Sequence, residues 1–319
     1  MRDQTIILLS VFDGAEFLPA QLESLERQAD RRWVLLWRDD GSRDGSARIL
    51  EDFAARQTPD RVRRVAQPAG RVGAATSFLA LLRAAPSDAA RYAFCDQDDI
   101  WLPGKLLRAS AGLETVPPGR PALYCTRQLL VDRELQRLGL SPDARRGPGL
   151  ANALVQNIAT GCTIVMNASA RRHVLSGTPP PCTLHDWWTY LVVTATGGQV
   201  IFDPQPEILY RQHGANAVGS NASKLTRAMR ALRRGPGAFL NAMAANMDAL
   251  SACPGLTPEA RCTLDALGAL RTGGFVARLR TLRRAGLCRQ GFREDVLLRL
   301  WFTLRPLPGS PGAITVAAA

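Results

Sequence analysis

Near the N-terminus, Thr5–Phe12 (TIILLSVF) forms a continuous apolar run. A strand with one wet face alternates polar and apolar residues. An unbroken run suits a strand buried on both faces, as in a parallel sheet covered by helices. The motif recurs. Trp33–Trp37 is a second apolar run, closed by Arg38-Asp39-Asp40-Gly41-Ser42, and Arg91–Cys95 is a third, closed by Asp96-Gln97-Asp98-Asp99. Between them, residues 16–28, 46–56 and 74–85 carry helical spacing, and Val62–Ala66 reads as a short strand. Strand and helix alternating at this interval predict βαβ units. Ligands of such sheets sit beyond the carboxyl ends of the strands, where both acidic clusters fall.

Beyond Ile100 the spacing predicts a helix over 103–113, strands over 122–131 and 161–166, and a Pro-, Gly- and Arg-rich loop over 139–149. A helix is expected over 185–195, with short strands over 200–202 and 208–211. From about 221 the pattern is wholly helical, and Thr257-Pro258-Glu259 is a helix start. The expected fold class is α/β: a mostly parallel sheet flanked by helices, with an all-helical C-terminal appendage.

The charge follows this division. The 319 residues carry a net +12, with 46% hydrophobic and 21% charged, which excludes disordered and low-complexity classes. Residues 1–220 hold 25 Lys and Arg against 23 Asp and Glu, while residues 221–319 hold 15 against 5. The basic tail points to an anionic surface. It lacks zinc, RNP-like and heptad patterns, so no nucleic acid is expected. Its amphipathic basic stretches, over about 271–305, suit an anionic membrane better. Seven cysteines without a CxxC pair fit a reduced, cytoplasmic chain. No signal peptide and no transmembrane run of about 18 apolar residues is read.

Asp96, Asp98 and Asp99 are the densest carboxylate cluster in the chain, and they repel one another unless something positive sits among them. Mg²⁺ or Mn²⁺ meets that need with oxygen ligands shared between carboxylates and substrate phosphates. Asp39 and Asp40 suit hydrogen bonds from a base or ribose, or alternatively a plain turn and cap. Ser10–Gly14 can add hydroxyl and aromatic surface to the same ligand.

The segments ILLSVFDGAEFLPAQLESLERQ, RDDGSRDGS and FCDQDDIWLPGK together resemble the family 2 glycosyltransferases of the GT-A fold. NIATGCTIVMN (157–167), HDWW (185–188) and YRQHGANAVG (210–219), in that order, resemble the rhamnosyltransferase-like branch that builds bacterial surface polysaccharides. The resemblance covers residues 5–220, taken as the catalytic domain, with 221–319 as the basic helical region. It implies a nucleotide-diphosphate sugar donor, dTDP- or UDP-linked, and a saccharide or lipid-linked acceptor at the cytoplasmic face of the cell membrane. It also implies roles. Asp186 matches the catalytic base, and Asp98 and His213 match metal contacts. Ser10, Phe12, Asp39, Asp40 and Asp96 match the donor site. Trp187, Trp188 and His185 are candidate sugar or acceptor contacts. Val11, Asp13 and the turn Pro68-Ala69-Gly70-Arg71 depart from the branch's usual residues.

Two other classes are weighed. A metal-dependent nucleotidyltransferase wants a basic Gly-rich phosphate loop after the first strand, and Ser10–Glu16 has no basic residue. A non-enzymatic membrane- or nucleic-acid-binding module would rest on the basic tail alone.

Overall fold

The computed structural model describes residues 3–66, 68, 70–213 and 236–309. Residues 214–219 of the last motif, Ala69 of the departing turn and the first part of the basic tail lie outside them.

The apolar runs become the centre of a seven-stranded sheet. Its strands are β1 (Thr5–Val11), β2 (Trp33–Asp39), β3 (Val62–Arg64), β4 (Arg91–Cys95), β6 (Ala122–Thr126), β9 (Val165–Asn167) and β10 (Gln199–Asp203), in the spatial order β10-β6-β9-β4-β1-β2-β3. β1 pairs in parallel with β2 and β4, and β2 with β3; β9 runs antiparallel between β4 and β6. Ile6, Ile7, Leu8, Leu9 and Val11 are all sealed from solvent, each stabilising the fold by roughly 1.5–3 kcal/mol relative to exposure. A four-stranded sheet of order β5-β11-β7-β8 stands beside it, built from β5 (Ile100–Trp101), β7 (Leu129–Val131), β8 (Arg137–Leu140) and β11 (Ile208–Arg211).

Helices α1 (Leu18–Glu26), α2 (Ser46–Ala55), α3 (Ala74–Ala84) and α4 (Lys105–Glu114) connect the early strands. Further on come α5 (Leu150–Ala153), α6 (Ala168–Ser176) and α7 (His185–Ala195), and then α8 (Gly237–Ser251), α9 (Pro258–Thr272), α10 (Phe275–Arg284) and α11 (Phe292–Leu304). Thr257 caps α9 by accepting from the Ala260 N–H at 3.1 Å. Leu240, Met243, Leu250, Leu267, Leu282 and Phe302 of these last helices join one buried cluster with Trp188 and Leu191 of α7 and Phe94 of β4. The described tail helices are therefore packed onto the central sheet's own core. Among the described residues no helix is long and apolar enough to cross a membrane.

Three segments differ from the sequence reading. The stretch 122–131 is two strands in different sheets, turning at Arg127 and Gln128. Gly161–Thr163 is a 3₁₀ turn before the short β9. The loop over 139–149 begins inside a strand, β8.

Candidate active site

The register of the central sheet sets one edge. Val11 lies opposite Asp39, and Leu9 opposite Cys95, so the residues following β1, β2 and β4 leave the sheet side by side. Asp13 takes a positive φ of 46°, a backbone state that Asp and Asn tolerate better than most residues. Its Oδ1 accepts the Arg43 N–H at 2.7 Å, while Ser42 Oγ accepts the Asp13 N–H at 3.0 Å. The first two loops are thus laced together.

The two acids closing β2 differ. Asp40 is buried and fully engaged. It pairs with Arg38 at 2.6 Å and accepts the N–H groups of Val72 and Gly73, both at 2.8 Å. Arg38 also donates to Ser77 Oγ at 2.9 Å and to the carbonyls of Pro68 and Gly70. The departing turn is therefore fastened to the end of β2 through Asp40, both of whose oxygens are bonded there. In Asp39, Oδ1 accepts from Ser42 N–H and Oγ–H, and Oδ2 has no bond among the described residues. Ser10 donates to Ser77 Oγ at 2.7 Å, and the Phe12 ring carries the Arg71 guanidinium over one face at 3.9 Å.

The acids closing β4 converge with Asp186. Burial, then the charges of Asp98 and Asp186, pushes Asp96 up to about 7. Burial, with Asp98 and Asp96 beside it, holds Asp99 well above the usual carboxylate range. Asp98 Oδ2 meets His213 Nε2 at 2.8 Å, and His213 lies tilted against Phe17 at 4.8 Å. The Arg211 N–H binds Asp99 Oδ1 at 3.1 Å. Buried Lys105 donates to the Cys162 carbonyl at 2.9 Å and approaches the Trp101 ring at 4.6 Å.

Asp186 sits in the first turn of α7, where the helix dipole favours an anion. It accepts the Gly161 N–H at 3.0 Å and the Trp187 N–H at 2.6 Å. Burial outweighs these bonds and lifts it to about 6.

The comparisons with known proteins fit this geometry. Residues 6–119 match the glycosyl transferase family 2 profile. The chain is 26% identical over 225 residues to the dTDP-rhamnosyl transferase RfbG of Shigella flexneri, covering 67% of this chain and 75% of that protein. The chain carries a family 2 glycosyltransferase domain. Its fold is shared with TarS 1-349 of S. aureus in complex with UDP-GlcNAc (TM-score 0.59, 12% identity, 82% of this chain and 70% of that one). It is shared too with the mannosyltransferase PcManGT of Pyrobaculum calidifontis in complex with GDP-Man and Mn²⁺ (TM-score 0.55, 16% identity, 95% and 81%).

A hard divalent cation fits the acidic cluster. Several carboxylates face one space, and each raises the cost of ionising the next. Asp96, Asp99 and Cys162 bring ligand-type atoms within 4.8 Å of one another. Burial keeps the Cys162 thiol well above its ordinary value, so it stays protonated and is a poor ligand for Mg²⁺ or Mn²⁺. Asp96 and Asp99 supply the oxygens of that group, whereas Asp98 and His213, expected as metal contacts, are bonded to each other.

Two expected sugar contacts are instead core. Trp188 is fully buried and donates to the Val174 carbonyl at 3.2 Å. His185 is stacked on Phe78 at 4.1 Å and edge-on to Phe94, with neither ring nitrogen bonded. Burial drops it to about 3, so it is neutral. A Cβ on Gly161 would meet His185 Nε2 at 2.8 Å, which explains the glycine there. Trp187 is half-buried and donates to the Ala153 carbonyl at 2.7 Å.

Gln97 was missed in the sequence as a mere spacer between two acids. Its amide accepts the Phe12 N–H at 2.8 Å and donates to the Phe12 carbonyl at 2.9 Å. A Cβ on Gly14 would come within 2.3 Å of its Oε1. The glycine at 14 was the available signal.

Proposed function

We propose that the protein is an inverting, metal-dependent glycosyltransferase of cell-surface polysaccharide assembly. It moves a sugar, rhamnose before others, from a dTDP- or UDP-linked donor to a saccharide or lipid-linked saccharide acceptor. The observation that carries this reading is the Gly161–Cys162 turn, whose Gly161 N–H holds Asp186 while Cys162 lies with the carboxylates of Asp96 and Asp99 within 4.8 Å. One carboxylate able to take a proton thus faces a group able to hold a cation and a diphosphate. The rhamnosyl preference rests on the likeness to RfbG.

Asp186 takes the proton of the acceptor hydroxyl, whose oxygen bonds the anomeric carbon as the bond from that carbon to the diphosphate breaks. Attack opposite the leaving group inverts the centre in one displacement. Such a base is worth typically about 10²–10⁴-fold. Mn²⁺ or Mg²⁺, when bound, neutralises charge on the departing diphosphate. Asp39, Ser10 and Phe12 flank the base and ribose, and Asp96 and Asp98 the diphosphate.

The tail supplies the surface partner. α11 is apolar on two faces. Leu298 and Phe302 are buried, whereas Phe292, Val296, Leu300 and Leu304, four residues apart, are each at least half exposed. Exposed Arg280, Arg283, Arg284, Arg293 and Arg305 lie on α10, α11 and the residue after them. An anionic lipid surface matches an apolar stripe among arginines. It would place the enzyme peripherally on the inner face of the cell membrane.

Thermal shift against dTDP-rhamnose, UDP-GlcNAc and GDP-mannose, with and without Mn²⁺, tests the function. Saturation at about 100 Kd adds roughly 2.7 kcal/mol. The reading predicts a clear rise with at least one donor, larger with Mn²⁺. No shift with any of them contradicts it.

A further inference from the structure

Lys105 is fully sealed from solvent, at the first position of α4. A lysine is almost never buried to that degree unless it is paired. Its place also opposes its charge, because the helix dipole disfavours a cation in the first turn. Burial pulls its pKa below the ordinary lysine value, against the opposing influence of Cys162, Cys95, Asp99 and Glu207. Stability alone would be served as well by an apolar side chain of the same size.

What the ammonium bonds is a carbonyl. Nζ donates to the Cys162 C=O at 2.9 Å and lies 4.6 Å from the centre of the Trp101 ring. Cys162 is the middle residue of the 3₁₀ turn Gly161–Thr163. That turn has reactive groups on both sides. The Gly161 N–H holds Asp186 Oδ2 at 3.0 Å, and the Cys162 thiol stands with the carboxylates of Asp96 and Asp99 within 4.8 Å.

Other bonds of the turn shape it more than they place it. Thr163 binds the Thr160 carbonyl through its N–H at 2.9 Å and its hydroxyl at 2.7 Å, both within the same segment. Gln128 Nε2 reaches Cys162 Sγ at 3.6 Å, a long contact to a weak acceptor. Lys105 comes from elsewhere. The chain runs from Asp99 through β5 to Lys105, and the lysine then returns to the turn beside the same acids.

We propose that Lys105 is a positioning residue of sugar transfer. Through the Cys162 carbonyl it fixes the turn whose Gly161 N–H aims Asp186, and so sets the base against the acids that close β4. The inference rests on Asp186 being the base of glycosyl transfer.

Amide hydrogen exchange and initial-rate kinetics on the full chain test it. Lys105→Met keeps the length of the side chain and removes the donor. The Gly161 amide should exchange about tenfold faster than in wild type with no substrate present, the effect of one lost hydrogen bond. Turnover should fall roughly 10–100-fold, as for a misplaced reacting group, while the donor Kd with Mn²⁺ stays within about threefold. The acid limb of transfer should move up from about pH 6, because Asp186 loses an N–H that favours its ionised form. Lys105→Gln, polar but too short to hold that carbonyl, should move all three readouts the same way and serves if the methionine variant fails to fold. Lys105→Arg keeps a cationic donor and should restore most of the Gly161 protection. A purely structural lysine would lower the melting temperature without moving the limb or separating turnover from donor affinity. Wild-type exchange at Gly161 in a folded Met or Gln variant overturns the proposal, as does donor affinity that falls in step with turnover. Faster exchange at Gly161 with wild-type turnover would keep the link and refute Asp186 as the base.

Discussion

Gln97 joins the acidic loop after β4 to the loop after β1 through both the N–H and the carbonyl of Phe12. Gln97→Ala removes two hydrogen bonds, worth roughly 1–3 kcal/mol together. Urea melts should register that loss, and the KM for donor should rise several-fold as Phe12 loses its anchor. An unchanged donor KM would make Gln97 a spacer after all. Asp186 gives a prediction in pH. Its carboxylate is raised to about 6 and must be ionised to accept a proton. Transfer is therefore expected to be flat above about pH 6 and to fall about tenfold per unit below it. A bound cation nearby moves the limb only downward, because it favours the ionised form. A limb near pH 8 would point to another base.

Helices and strands were unevenly legible. The buried runs of β1, β2 and β4 announce themselves because both faces are covered, and the acids that close them mark the ligand edge. The turn between β6 and β7 did not, because Arg127 and Gln128 are ordinary residues with no breaker beside them; a change of sheet, not a change of composition, ends the strand. Trp188 and His185 misled for a related reason. Their motif sits at the site, but a helix turns successive residues to different sides, so Asp186 meets the acids while its neighbours face the core. The stripe on α11 carries its own prediction. Full-length protein should float with phosphatidylglycerol vesicles, and Val296→Asp combined with Leu300→Asp should abolish this. Equal flotation of both proteins, or of neither, contradicts the lipid contact.

Across the whole molecule, the charge division and the fold do not coincide. The excess of basic residues belongs to the tail, yet the tail's described helices share a core with α7, which carries Asp186. Gln290 further joins the tail to the catalytic half through Arg146, Gly147 and Gln156. The near-neutral segment and the basic one are thus one packed body in the described residues, with the ends of β1, β2 and β4 side by side. Everything in that arrangement turns on Asp186 as base. The most direct measurement is the initial rate of sugar transfer by Asp186→Asn beside its donor affinity. The account predicts a loss of at least about 10²-fold in rate, with the donor Kd unchanged within about threefold. Near wild-type transfer by Asp186→Asn would contradict it.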